Sequence, residues 1–179
     1  MSSPTVTTPV RDAATVASDG TPLQTLPDGV TFFPLTTHID DRGTVCELFD
    51  PRWGWHDAPF TFAYMFTLRP SAVKGWGMHL EHEDRYVTLF GEMQIVMFDA
   101  REDSPTKGLL CSVVLSHMNR RAMNIPTGIW HANWNIGSTD AIIVNFPTKP
   151  YEHDNPDKYR LPLDTDQIPF TFPPNVQGW

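Results

Sequence analysis

Two histidines offer most of the chemistry in this 179-residue chain. An imidazole with an ordinary pKa of about 6.5 can take or give a proton near neutrality, and its neutral form can bind a metal ion. His131 lies in Pro126-Thr127-Gly128-Ile129-Trp130-His131-Ala132-Asn133-Trp134-Asn135. Pro and Gly build a tight turn there, and a strand starts near Ile129. Side chains alternate along a strand, so His131, Asn133 and Asn135 share one face while Trp130, Ala132 and Trp134 take the other. A polar face on so apolar a strand is costly to bury unless it binds something. His79 lies in Gly75-Trp76-Gly77-Met78-His79-Leu80-Glu81-His82-Glu83-Asp84-Arg85. Read as a strand, this segment puts His79 and Glu81 on one face, with open space beside Gly77. A histidine among carboxylates is suited to general-base work or to metal binding. His82 and Glu83 read equally well as a solvated, charged turn. A third segment, Asp40-Asp41-Arg42-Gly43-Thr44-Val45-Cys46-Glu47-Leu48-Phe49, sets Arg42 at a turn with Glu47 five residues on. By itself that pair reads as a surface ion pair of little energetic weight.

The elements that must hold these residues are strands. Runs rich in β-branched and aromatic residues, bounded by Pro, Gly, Asp or Asn, predict strands near residues 30–35, 44–49, 60–68, 85–90, 93–99, 109–116, 122–125, 129–135 and 141–146. Gly91-Glu92 reads as a hairpin turn between two of them. Seventeen prolines disfavour long helices. Many short, evenly spaced strands predict an all-β sandwich or barrel with under about 15% helix. Facing strands of a barrel can bring His79 and His131 into one cavity, and Arg42 is expected at its mouth.

The chain divides into an arm of residues 1–27, poor in large apolar groups, and a barrel of residues 28–179 that ends in an irregular, proline-rich segment from Lys149. A formal net charge of −8 argues against a nucleic-acid partner, though a local cluster of Arg or Lys would still accept an anionic ligand. Cys46 and Cys111 are far apart and are expected to be reduced thiols in a cytoplasmic protein. No apolar run of about 18 residues predicts a membrane span, and the start has no signal-peptide pattern. Open sheet edges predict a homodimer, with the N-terminal arm available to add a strand.

The P-x-G-x-x-H-x-x-x-N pattern at residues 126–135 resembles the second motif of the cupin barrels. In chain order, Asp40-x-Arg42-Gly43-x-x-x-Glu47-x-Phe49, Gly77-Met78-His79, Val96-x-x-Asp99-x-Arg101-x-x-Ser104-Pro105-Thr106-x-Gly108, Leu115-Ser116 and Ile125-Pro126-x-Gly128-x-x-His131 resemble the dTDP-4-dehydrorhamnose 3,5-epimerase family over roughly residues 30–175. The resemblance implies a metal-free cupin jelly roll, or double-stranded β-helix, forming homodimers and acting on nucleotide-linked 4-keto-6-deoxy sugars without a cofactor. It implies that His79 is the general base, oriented by Asp164 or Asp166. It places Arg42 on the pyrophosphate, Glu47 near the base moiety, Tyr151 against the nucleotide base and His131 in the pocket. Arg85 falls where the family has a lysine that stabilises the enolate. Asn145 falls where the family has its general-acid tyrosine, and an amide cannot give up a proton. Trp76 stands where an arginine usually precedes the Gly-x-His, and Tyr64 and Phe66 replace a polar pair.

Three functions follow. The first is an isomerase or epimerase that abstracts a proton alpha to a carbonyl. The second is a metal-dependent oxygenase or isomerase using His79, Glu81 or His82, and His131. The third is a catalytically silent sugar-binding cupin. The first is preferred over the second because Gly77 stands two residues before His79, where a metal cupin has the first histidine of its His-x-His pair.

Overall fold

Alternation of apolar and polar residues along short segments produces thirteen strands in the computed structural model, which describes residues 10–19 and 22–178. They are β1 (Thr31–Pro34), β2 (Thr37–Asp40), β3 (Gly43–Cys46), β4 (Tyr64–Leu68), β5 (Ala72–Met78), β6 (Asp84–Phe90), β7 (Glu92–Asp99), β8 (Leu110–Ser116), β9 (Arg121–Ile125), β10 (Ile129–Asn135), β11 (Ala141–Asn145), β12 (Tyr159–Arg160) and β13 (Gln177–Gly178). The only helical turn among the described residues is the 3-10 turn Pro51–Trp53. Two sheets face each other. One has the order β1-β9-β6-β11-β4; the other has β12-β5-β10-β7-β8, with β13 also on β5. Every pairing is antiparallel except β13 on β5. This is the expected all-β jelly roll of the cupins. Its core lies between the sheets, where Leu68, Met93, Ile95, Met97, Leu115, Met123, Ile125 and Ile143 are almost fully buried. Each such side chain contributes about 1.5–3 kcal/mol of apolar burial.

Among the described residues, irregular chain and not helix covers the outer faces. Leu161, Leu163, Ile168, Phe170 and Phe172 from the C-terminal segment pack on Val73, Trp76, Trp130 and Trp134. Leu48, Phe49 and Trp55 pack on Val87, Ala122 and Phe146 across the other sheet. The face division along β10 follows the alternation: the tryptophans enter the outer cluster, while His131 and Asn133 face inward. Residues 1–9, 20 and 21 of the expected arm lie outside the described residues. Within it, Val16 bridges Pro22, and Gln24 reaches the Ser112 carbonyl at 2.6 Å. Both cysteines are unpaired.

Four readings of the sequence are corrected. Gly91-Glu92 does not close a hairpin: β6 and β7 belong to opposite sheets, and the chain crosses the barrel's corner there. Gly91 is required at that corner, with φ +77° and a would-be Cβ only 2.8 Å from the Ala141 Cα. Strand β2, which pairs with β3, was not expected. Nor was β5 among the predicted strand ranges, although the segment from Gly75 was read as a strand; its Lys and two Gly give little β propensity. Tertiary packing makes β5 a strand, because Gly75 lets β10 approach until an added Cβ would lie 2.4 Å from the Ala132 Cβ. The strand ends at Met78, so Glu81 does not share a strand face with His79.

The Asp99-x-Arg101-x-x-Ser104-Pro105-Thr106-x-Gly108 stretch is a self-contained structural loop. The buried Asp99 carboxylate accepts from Arg101 Nε at 2.9 Å, Ser104 Oγ at 2.6 Å and Thr106 Oγ1 at 2.7 Å. Burial pushes this carboxyl up, but Arg101 and the two hydroxyls outweigh it and hold it well below the ordinary range. Arg101 Nη2 donates to the Asp28 carbonyl at 2.8 Å, tying the loop to the chain just ahead of β1.

Gly75→Ala should lower the melting temperature measurably, since overpacking of this kind costs about 1–3 kcal/mol. An unchanged thermal transition would show that β5 and β10 can separate freely. Arg85 is fully buried and donates to the carbonyls of Phe146 at 2.6 Å, Ala58 at 2.8 Å and Pro59 at 3.0 Å. Arg85→Leu strands those acceptors and should cost more than about 2 kcal/mol in a denaturant titration.

Candidate active site

The two sheets enclose a cavity of ≈ 220 Å³. One wall is Tyr64 and Phe66 on β4 and Tyr86 on β6. The opposite wall is Lys74 to Gly77 on β5, His79 just past it, and His131 and Asn133 on β10. Lys158 and Arg160 close the side from the C-terminal segment. His79 and His131 therefore share one cavity, with ring centroids 5.7 Å apart.

A single carboxylate organises the interior. Asp84 opens β6, is 1% exposed, and puts Oδ2 3.4 Å from His79 Nε2 and 3.3 Å from His131 Nε2. Tyr86 donates to Oδ2 at 2.9 Å, and Asn145 Nδ2 donates to Oδ1 at 2.6 Å. Burial pushes this acid up, but the partners His131 and His79 prevail and hold it ionised, well below the ordinary range. The tautomers follow from the neighbours. His79 Nδ1 faces the Asp157 carbonyl at 2.5 Å and His131 Nδ1 faces the Ile129 carbonyl at 3.1 Å. A carbonyl only accepts, so each Nδ1 carries a hydrogen and each Nε2 is the working nitrogen. Burial pushes the His79 pKa down; the Asp84 bond and charge, with the Asp157 carbonyl, more than offset it, so the net shift is upward.

His82 stacks on His79 with centroids 4.0 Å apart, and its Nδ1 lies 2.8 Å from Asp157 Oδ2. Burial and the His79 charge lower its pKa. Asp157 also accepts from the Leu80 and Glu81 amides at 2.9 and 2.7 Å, locking the loop that carries His79.

The remaining expected residues lie elsewhere or do other work. Asp164 and Asp166 are exposed, and neither has a bond to His79; Asp157 is the C-terminal aspartate that positions it. Strand parity turns Arg85 to the outer face, where it is held by carbonyls, and Asp84 takes the pocket side. Arg42 and Glu47 are exposed beyond the cavity, Arg42 pairing with Asp40 on the β2–β3 hairpin. Arg42 is therefore not at the mouth of the cavity in its own chain. Trp76 borders the cavity, but its ring is buried against Phe172 and Phe170 at 5.6 and 6.1 Å. Tyr151 is exposed against His153, near enough to Tyr64 to influence that phenol. Asn145 is fully buried; besides Asp84, its Nδ2 donates to the Tyr64 hydroxyl at 3.0 Å and its Oδ1 accepts the Arg85 amide at 2.9 Å.

Sequence reasoning gave Asp84 only the carboxylate slot of a metal cupin and missed Tyr86, and it missed the cations Lys74, Lys158 and Arg160. The parity of β6 would have revealed the first two; the cations become neighbours only through β5 and β12. Burial, followed by repulsion from Arg160, lowers the Lys158 pKa. The ligating atoms of His79, His82 and Asp84 lie within 4.8 Å of one another, so these three could hold a metal ion. Glu81 belongs to no such set, being exposed and paired with Lys149 at 3.4 Å.

Residues 24–170 match the family model described as dTDP-4-dehydrorhamnose 3,5-epimerase. The probable low-salt glycan biosynthesis epimerase of Haloferax volcanii is 32% identical over 145 residues, covering 80% of this chain and 93% of that protein. A spore coat polysaccharide biosynthesis protein of Bacillus subtilis is 32% identical over 147 residues, covering 81% and 95%. A dTDP sugar isomerase from Desulfovibrio desulfuricans superimposes with a TM-score of 0.76 at 26% identity, over 83% of this chain and 94% of that one. An epimerase from Legionella pneumophila in complex with dTDP-4-keto-L-rhamnose shares the fold at a TM-score of 0.73 and 22% identity, over 85% and 84%. The match over most of the barrel, together with these relatives, shows that the chain belongs to the dTDP-4-dehydrorhamnose 3,5-epimerase family.

Proposed function

We propose that the cavity binds a nucleotide-linked 4-keto-6-deoxy sugar and that His79 removes a proton from the carbon next to the ketone. The observation that carries this is the setting of His79: Nδ1 fixed by a carbonyl, Nε2 in the cavity, and a buried carboxylate beside it. When the C–H bond breaks, its electron pair moves toward the carbonyl oxygen as an enolate and the proton goes to Nε2. Asp84 stabilises the imidazolium so formed. No electron leaves the substrate, so the step needs no oxidant.

The substrate class is supported by charge. In a chain of formal net charge −8, Lys74, Lys158 and Arg160 line one cavity. Such a cluster suits a diphosphate and can hold an enolate oxygen in a pocket shielded from water. Asn133 lines the same cavity, and its buried Oδ1 has no partner among the described residues. A nucleotide-sugar substrate fits a cytoplasmic protein, and no helix among the described residues is long and apolar enough to cross a membrane.

A homodimer fits the same reading. Ile39 and Val45 on the β2–β3 hairpin are 77% and 66% exposed. A second copy would cover them and would be the way for Arg42 to reach a diphosphate. Sedimentation at micromolar concentration should give a dimer; a monomer would remove Arg42 from the site.

One observation favours a second, metal-dependent reading: the convergence of His79, His82 and Asp84. Solvent deuterium exchange into a dTDP-linked 4-keto-6-deoxyhexose separates the two. His79→Asn should reduce exchange by more than 10²-fold, roughly what loss of a general base costs, and treatment with a chelator should leave the wild type unchanged. Loss of exchange on chelation, restored by added metal, would favour the metal centre. Lys158→Ala should raise KM for the same compound more than it lowers kcat, because it removes a charge used mainly for binding.

A further inference from the structure

Inverting a carbon requires that a proton leave one face and another arrive at the opposite face. His79 is on the wall built from β5 and β10, so a second proton group must come from the wall of β4 and β6. Two phenols stand there. Tyr86 is 3% exposed, and its hydrogen is committed to the Asp84 carboxylate at 2.9 Å. Tyr64 is 40% exposed, and its oxygen accepts from Asn145 Nδ2 at 3.0 Å, a bond that leaves the hydroxyl's own hydrogen for the cavity.

We propose that Tyr64 is the proton donor opposite His79 and that Asn145, its cross-strand partner, holds it in place. The proposal rests on the isomerase reading above. After His79 has taken the first proton, the Tyr64 O–H bond breaks, its proton forms the new C–H bond on the other face, and the enolate electrons return to the ketone. The phenolate left behind keeps the Asn145 bond. Water then reprotonates it at the open side of the pocket, while the His79 imidazolium returns its proton to solvent. The amide of Asn145 donates both to Asp84 and to Tyr64, so it fixes the two polar centres without relaying a proton between them. Burial first, and the Asp84 charge second, raise the Tyr64 pKa, so the phenol carries its proton near neutrality. Asn145 and Tyr64 face each other in the β4–β11 register, which puts the phenol one strand away from the amide.

The test follows a dTDP-linked 4-keto-6-deoxyhexose in D₂O by NMR, reading isotope exchange and configuration separately. Tyr64→Phe, which removes only the hydroxyl, should retain exchange within a few-fold and lose inversion by roughly 10²–10⁴-fold, the usual worth of general-acid help. The double variant Tyr64→Phe with Asn145→Tyr puts a phenol back at the facing position and should recover part of the inversion. Inversion at the wild-type rate in Tyr64→Phe would overturn the proposal, as would equal losses of exchange and inversion in a variant whose melting temperature is unchanged. A wild-type protein that exchanges nothing would instead overturn the isomerase reading on which the proposal stands.

Discussion

The site depends on one buried charge. Asp84 is an ionised carboxylate almost without solvent contact, which would be prohibitively costly if it were unpaired. Its lone pairs are met by Tyr86, Asn145 and two imidazoles drawn from three strands and a loop. Those partners explain the lines of force in the pocket. His79 gains basicity, Tyr64 and Tyr86 are kept protonated, and the cations at the rim face a negative centre. Removing the carboxylate would leave two imidazoles, an amide and a phenol without their shared acceptor, so folding and chemistry both run through it.

The barrel delivers those partners by strand parity. On β6, Asp84 and Tyr86 turn inward while Arg85 and Val87 turn outward, so adjacent residues serve opposite purposes. Arg85 holds together the carbonyls of two loops, and the carboxylate beside it raises the pKa of His79 against the effect of burial. Close passage of β10 over Gly75 brings His131 and Asn133 to the same depth as His79. The C-terminal segment contributes through Asp157, whose carbonyl fixes one imidazole while its carboxylate ties down the loop carrying it.

Much of this was legible in the sequence. Alternation along residues 129–135 pointed to the inward histidine and asparagines, and strand spacing pointed to an all-β sandwich or barrel, which the family resemblance narrowed to a jelly roll. The Pro126 to Gly128 turn also stands, with Gly128 at φ +78°. What sequence reasoning could not supply was register and long-range contact. One residue of phase separates Arg85 from Asp84, and an error of one flips every side chain to the other face. Lys74 and Lys158 are far apart in the chain and become neighbours because β12 pairs with β5 beside the cavity. The resemblance pointed to Asp164 or Asp166 and not to Asp157, because nothing local distinguishes one aspartate from another in a proline-rich tail. Asn145 read as a lost acid until its cross-strand neighbour was known.

The direct test of the central claim is the titration of the His79 ring, followed by NMR in the wild type and in Asp84→Asn. With the carboxylate present, folded His79 should titrate above about 6.5, the ordinary histidine value, because the imidazolium is favoured. Neutral base is then depleted below that pH, so the acid limb of the exchange rate should sit at the same raised value. In Asp84→Asn both the ring pKa and the acid limb should move down, since burial then acts without its opposing charge. A His79 that titrates at or below the ordinary value in the wild type, or that does not move when the charge is removed, would contradict the account.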